Sequence, residues 1–156
     1  MKIQFENNLD YQNRAIESIV NIFEGQEICQ SNFTVTAIND NLLTYQNDLG
    51  IGNRLELLDD EILSNVQQIQ LKNGLPQTKS VKDIKTMDFS VEMETGTGKT
   101  YVYLKTIFEM NKKFGFTKFI IVVPSIAIKE GTNKTLEITN EHFRGLFDNV
   151  NYDYFV

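Results

Sequence analysis

The sequence predicts an α/β fold, a parallel sheet flanked by helices, and three observations predict it. From Met87 onward the pattern alternates strand, helix, strand, helix, the order that builds a parallel sheet covered by helices. Lys118 to Val123, "KFIIVV", is an uninterrupted apolar run of the kind buried on both faces of a sheet. Between the first strand and its helix lies "TGTGKT", Thr95 to Thr100, a run that packs poorly and so asks for another purpose. At 156 residues and 41% hydrophobic, the chain suits one domain with a sizeable core.

Taken in order, a first helix is expected from about Tyr11 to Phe23. Asp10 is placed to act as its N-cap, and Ala15, Ile16, Ile19, Val20 and Phe23 share one face. "FTVTA" (33–37) and "NLLTYQ" (41–46), joined by "IND", read as a hairpin. A second helix begins near Asp59, carries Ile62, Leu63, Val66 and Ile69, and stops at the signal Lys72, Gly74, Pro76. The polar run "QTKSVKDIKT" (77–86) reads as a linker. "DFSVEM" (88–93) is then a strand and Lys99 onward a helix closing at Gly115. A last helix falls within Ile126 to Phe147, with a break expected near Gly131. The tail "YDYFV" reads as the next strand, cut at Val156, so the sheet is expected to be incomplete.

The glycine–threonine run has the chemistry of a phosphate-binding loop. Glycines let successive backbone N–H groups curl around an anion with no Cβ in the way. The helix beginning at about Gly98 aims its unpaired N–H groups and positive dipole end at the same place. Lys99 reaches β- and γ-phosphates as a charge, and the Thr100 hydroxyl suits Mg²⁺. A strict G-x-x-x-x-G spacing would need glycine at Met93; Gly96 instead gives x-x-x-G-x-G-K-T, the version common in helicase-type motors. Thr95, Gly96, Thr97, Gly98, Lys99 and Thr100 are therefore the candidate nucleotide-binding residues. The plainer alternative is a glycine-rich turn opening a helix.

Gln12 lies on the first turn of the preceding helix, and its amide can pair with one edge of adenine. It also fits as an ordinary polar residue near a helix start. Tyr11 and Phe5 suit core packing better than a base platform. In "FIIVVPSIAIKEG" a strand ends where Ser125 meets a helix N-terminus, the sheet edge at which α/β proteins bind ligands. Ser125 as a helix cap and Lys129 as a solvated charge are equally good readings. "DDEI" (59–62) resembles an acidic Mg²⁺ box but precedes the loop and opens a helix, where acidic residues suit the dipole. His142 is the one histidine, so no histidine cluster can bind metal, and a surface or packing role is expected.

Three of these segments together resemble the superfamily 2 helicase motors: "LDYQNRAI" the adenine-reading Q motif, "METGTGKT" motif I, and "VVPSIAIKEG" motif Ia. The run from "DFSVEM" to "IKEG", with "LLDDEILSNVQQIQLKNGLP" and "LEITNEHFRGLFDNVNYDYFV", is similar to the restriction (Res) subunit of type III restriction–modification enzymes across essentially the whole chain. The resemblance implies a P-loop NTPase (RecA-like) fold, here incomplete and with an N-terminal helix and hairpin extension. Residues 1–24 would be the Q-motif region, 25–86 a hairpin and helix insert, and 87–156 the P-loop core. It implies an ATP-driven motor on double-stranded DNA that works with a methyltransferase (Mod) subunit and cleaves unmodified DNA with a distant nuclease domain. Gln12 would contact adenine, Thr95 to Thr100 the triphosphate, Lys99 the phosphates as the catalytic lysine, Thr100 the Mg²⁺, and Ser125 and Lys129 the DNA backbone. The acidic pair of motif II, expected after motif Ia, does not occur between Gly131 and Val156, and no second motor domain or nuclease constellation is present.

Two other classes remain open at this point: a helicase or repair translocase without nuclease, and a non-catalytic nucleotide-binding or interaction domain. Net charge is −6, with 15 basic and 21 acidic residues, so composition gives a DNA partner no support. No apolar run is long enough to cross a bilayer, the N-terminus lacks a signal core, and Cys29 is alone. A cytoplasmic protein is expected, with no membrane partner.

Overall fold

Four helices organise the residues that the computed structural model describes, which are 6, 8–28 and 53–156. Helix α1 is Asp10–Val20, and a 3₁₀ turn, Asn21–Phe23, tightens its last residues. Leu9, with no capping side chain, holds the N-cap position expected of Asp10, which begins the helix instead. The Asp10 carboxylate still lies in the first turn, where it complements the dipole. The hairpin expected at 33–46 lies outside the described residues.

Helix α2, Asp59–Lys72, starts where the acidic run predicts, and the Glu61 carboxylate accepts from the Leu58 N–H at 2.8 Å. It ends through Asn73 and a left-handed Gly74, with the Leu75 N–H returning to the Gln70 carbonyl at 2.8 Å. The polar run after it is not a free linker. Gln67 donates to the Thr78 carbonyl and Gln70 exchanges bonds with both Thr78 N–H and hydroxyl, all at 2.7–2.8 Å. A 3₁₀ turn, Val81–Ile84, then buries Ile84 against α2.

Helix α3, Lys99–Phe114, lies between two left-handed glycines, Gly98 at φ 82° and Gly115 at φ 71°. Helix α4, Ile126–Leu146, runs unbroken through Gly131. A glycine inside a helix costs about 1 kcal/mol, less than is recovered by burying Thr132, Leu136, Thr139 and Phe143 along one face. Past its end Asp148 and Asn149 turn left-handed, and the Asn149 N–H bonds the Arg144 carbonyl at 2.9 Å.

Helix α3 is buried on two sides. Val102 and Phe114 meet Ala15, Ile16 and Val20 of α1, while Tyr101, Leu104 and Phe108 meet Leu136 and Phe143 of α4 and Phe147 just past its end. Phe143 stacks between Tyr101 and Phe108, with centroids 5.3 and 4.9 Å away. Around α2, Ile22, Ile62, Val66 and Ile84 form a third cluster, and Phe23 packs against both it and the α1–α3 cluster.

The sheet is where expectation and structure part. Among the described residues no strand is assigned, at 88–93, at 118–123 or in the tail. Ile120 is 92% and Val122 87% exposed, the opposite of a strand buried on both faces. A strand exists only with a neighbour to complete its ladder, and burial of both faces requires covering helices. Neither is supplied to this run by the described residues. Its start is held by the Asn53 side chain, which accepts from the Thr117 and Lys118 N–H groups and donates to the Lys118 carbonyl.

Candidate phosphate-binding site

Segment 90–97 approaches the N-terminus of α3 through a loop whose two glycines take positive φ, Gly96 at 83° and Gly98 at 82°. An L side chain there is strained, so glycine is required at these positions by conformation. The Thr97 hydroxyl donates to the Glu94 carbonyl at 2.7 Å and closes the turn from within. Helix α3 begins at once, its ladder opened by the Val102 N–H bonding the Gly98 carbonyl at 3.0 Å. The N–H groups of Lys99, Thr100 and Tyr101 therefore precede any intrahelical acceptor and mark the positive end of the dipole. Lys99 is exposed and Thr100 half-buried at that same end. Glycine backbone, helix terminus, ammonium and hydroxyl thus converge within six consecutive residues, a donor set that fits a phosphate chain with a divalent cation.

Gln12 belongs to this site by contact. It is 6% exposed, and its Nε2 donates to the Thr97 carbonyl at 2.9 Å. A Cβ built on Gly98 would lie 2.7 Å from that nitrogen. The bond uses one amide hydrogen, and among the described residues the other hydrogen and Oε1 have no partner. The sequence placed Gln12 near a ligand base; nothing in it disclosed the grip on the loop, which joins residues 85 apart.

Tyr11 corrects the expectation of core packing. It is 48% exposed and, with Arg14, forms the α1 wall of a cleft of about 950 Å³ beside the loop. Asn73, just past α2, and Glu92, Glu94 and Gly96 are among the other residues that line it. Arg14 was not singled out from the sequence; the signal was its position three residues after Tyr11, on the same helix face.

Behind the loop, Tyr101 bonds His142 of α4, phenol oxygen to Nε2, at 2.9 Å. Burial raises the Tyr101 pKa, so the phenol keeps its proton, and the imidazole tautomer sets which of the two groups donates. Burial first, and the Lys105 ammonium second, lower the His142 pKa. Ser125 acts as the cap of α4, its hydroxyl accepting from the Ile128 N–H at 3.3 Å. Lys129 shares that first turn and is exposed, and its backbone N–H bonds the Ser125 carbonyl. Among the described residues no group of three histidine, cysteine or acidic side chains could hold a metal, and no helix is long and apolar enough to cross a membrane.

Residues 7–151 match the family model described as "Type III restriction enzyme, res subunit". The chain is 36% identical over 142 residues to the EcoPI Res subunit of Escherichia phage P1, covering 90% of this chain and 14% of that protein. To the EcoP15I Res subunit of Escherichia coli it is 36% identical over 141 residues, 89% of this chain and 13% of the relative. A shorter stretch of 65 residues, 40% of this chain and 7% of the relative, is 45% identical to the StyLTI Res subunit of Salmonella typhimurium. The chain thus spans about one-seventh of the relatives it matches along most of its own length. With a family match running through 145 of its residues (7 to 151), the chain belongs to the Res-subunit family of type III restriction enzymes.

Proposed function

We propose that this chain is the ATP-binding segment of a DNA-translocating motor, whose full-length protein couples ATP hydrolysis to cleavage of unmodified double-stranded DNA beside a methyltransferase subunit. The observation that carries it is the loop itself: two left-handed glycines directly before α3, with Lys99 and Thr100 on its first turn. In this reading Thr95 to Thr100 wrap the triphosphate, Lys99 neutralises its β- and γ-phosphates, and the Thr100 hydroxyl helps hold Mg²⁺. Gln12 has an N–H and a carbonyl oxygen to offer an adenine edge, and Tyr11 and Arg14 give the neighbouring cleft an aromatic and a cationic wall. Ser125 and Lys129, at the N-terminal turn of α4, would meet the DNA backbone. The runs at 88–93 and 118–123 would be strands of a RecA-like parallel sheet, with residues 1–24, 25–86 and 87–156 as Q-motif region, insert and core.

Motors of this kind also require an acidic box and an arginine, the latter contributing roughly 10³–10⁵-fold to turnover. Because the sequence holds no acidic pair in the place of motif II, this chain by itself is expected to bind without appreciable hydrolysis. The test is thermal stability of the chain titrated with ATP and Mg²⁺. Binding to the native state alone raises stability by mass action, about 2.7 kcal/mol at a hundredfold excess over Kd. Lys99→Ala should abolish the shift while leaving the melting temperature without ligand unchanged, since Lys99 is exposed. No shift at millimolar ATP would count against the reading.

A further inference from the structure

We infer that Gln12 is a positioning residue for the phosphate loop, holding the Thr97–Gly98 peptide ready for an anion whatever base the ligand carries. The inference rests on the phosphate-binding reading and goes beyond a base-reading role. In a trans peptide the C=O and N–H point in opposite directions. The Gln12 amide fixes the Thr97 carbonyl against α1 at 2.9 Å, so the Gly98 N–H points away from α1. Thr97 lies between two glycines at φ 83° and 82°, and glycine adopts either sign of φ readily, so this peptide would otherwise rotate at little cost. Rotation would replace an N–H donor with a carbonyl lone pair facing the phosphates. Gln12 is itself fixed: it is buried, and it sits so close to Gly98 that a Cβ there would fall 2.7 Å from Nε2. The side chain therefore acts on the loop through the Thr97 carbonyl.

Affinity for a ligand drops by the fraction of molecules whose site is correctly formed. Loss of the bond should therefore weaken binding of any phosphate chain, with or without a base. The probes are Mg²⁺–tripolyphosphate, which has no base, and Mg²⁺–ATP, titrated by calorimetry into the wild-type chain, Gln12→Met, Gln12→Ala and Ile16→Ala. Methionine matches glutamine in length but cannot donate to Thr97. Ile16 is buried on the same helix and makes the control for general loosening of α1. Both Gln12 variants should lose tripolyphosphate affinity by about 3- to 10-fold for one hydrogen bond and ATP affinity by at least that factor, and Ile16→Ala should lose neither at equal folded fraction. Loss of ATP affinity with tripolyphosphate affinity intact would overturn the inference and leave Gln12 a base reader. Equal loss in Ile16→Ala would overturn it too. If the wild-type chain binds neither probe, the phosphate-binding reading itself fails, and the NMR order parameter of the Gly98 N–H then decides the positioning role alone. A lower order parameter in both Gln12 variants supports it, and an unchanged one overturns it.

Discussion

Gly96 and Gly98 have nearly the same φ, yet their surroundings differ, and substitution should reveal the difference. A Cβ at Gly96 meets nothing within 4 Å, so alanine there adds only left-handed strain, about 1 kcal/mol. At Gly98 the same strain is joined by a clash with the Gln12 amide at 2.7 Å. Gly98→Ala should therefore destabilise by about 2–3 kcal/mol, visible as a lower urea midpoint than that of Gly96→Ala. At this scale the turn before α3 was legible, because Gly96 and Gly98 are the residue type that positive φ asks for. The contact of Gln12 with Thr97 was not, since a side-chain bond to a backbone carbonyl leaves no mark on residue identity. Tyr11 was misjudged for a related reason: an aromatic beside an apolar helix face looks the same whether it points into a core or into a cleft.

Between elements, α3 and α4 meet through stacked rings and through the Tyr101–His142 bond. Burial and the Lys105 charge place the folded-state pKa of His142 below its unfolded value of about 6.5. The unfolded chain therefore takes up this proton first. The contribution of neutral His142 is complete above the unfolded pKa and is lost as pH falls toward the folded one. Urea midpoints measured at about pH 7 and pH 5 should fall less for His142→Gln than for wild type. The helices themselves were largely readable, since each carries a 3.6-residue apolar period and sound end signals such as Gly74 and Gly115. The segment 77–86 was not, because glutamine side chains on α2 hold it in place and leave it looking like any polar linker. The break expected at Gly131 failed because one local penalty is small beside a buried face running the length of α4.

For the molecule as a whole, the outstanding property is an apolar run left in solvent. Ile120 and Val122 read from sequence as interior residues, because an unbroken apolar run normally has neighbours on both faces. Apolar character is carried by a segment; burial is conferred by what lies around it. An exposed apolar segment of β-favouring residues promotes edge-to-edge association. The double variant Ile120→Lys with Val122→Lys should lower light scattering at rising concentration, with the melting temperature kept within about 2 °C because exposed positions contribute little to stability. Equal scattering from both proteins would show that this run does not drive association. Phe23 governs a different collective property. Helix α3 joins the α1 and α4 clusters by its own covalent continuity, whereas the α2 cluster meets the α1–α3 cluster at the ring of Phe23, helped by the Lys72–Glu17 pair and by Asn65 donating to the Ile22 and Glu24 carbonyls. Whether the chain melts in one cooperative step or sheds α2 first therefore depends on how much interfacial free energy that ring and these polar ties supply relative to the stability of α2 with its own cluster.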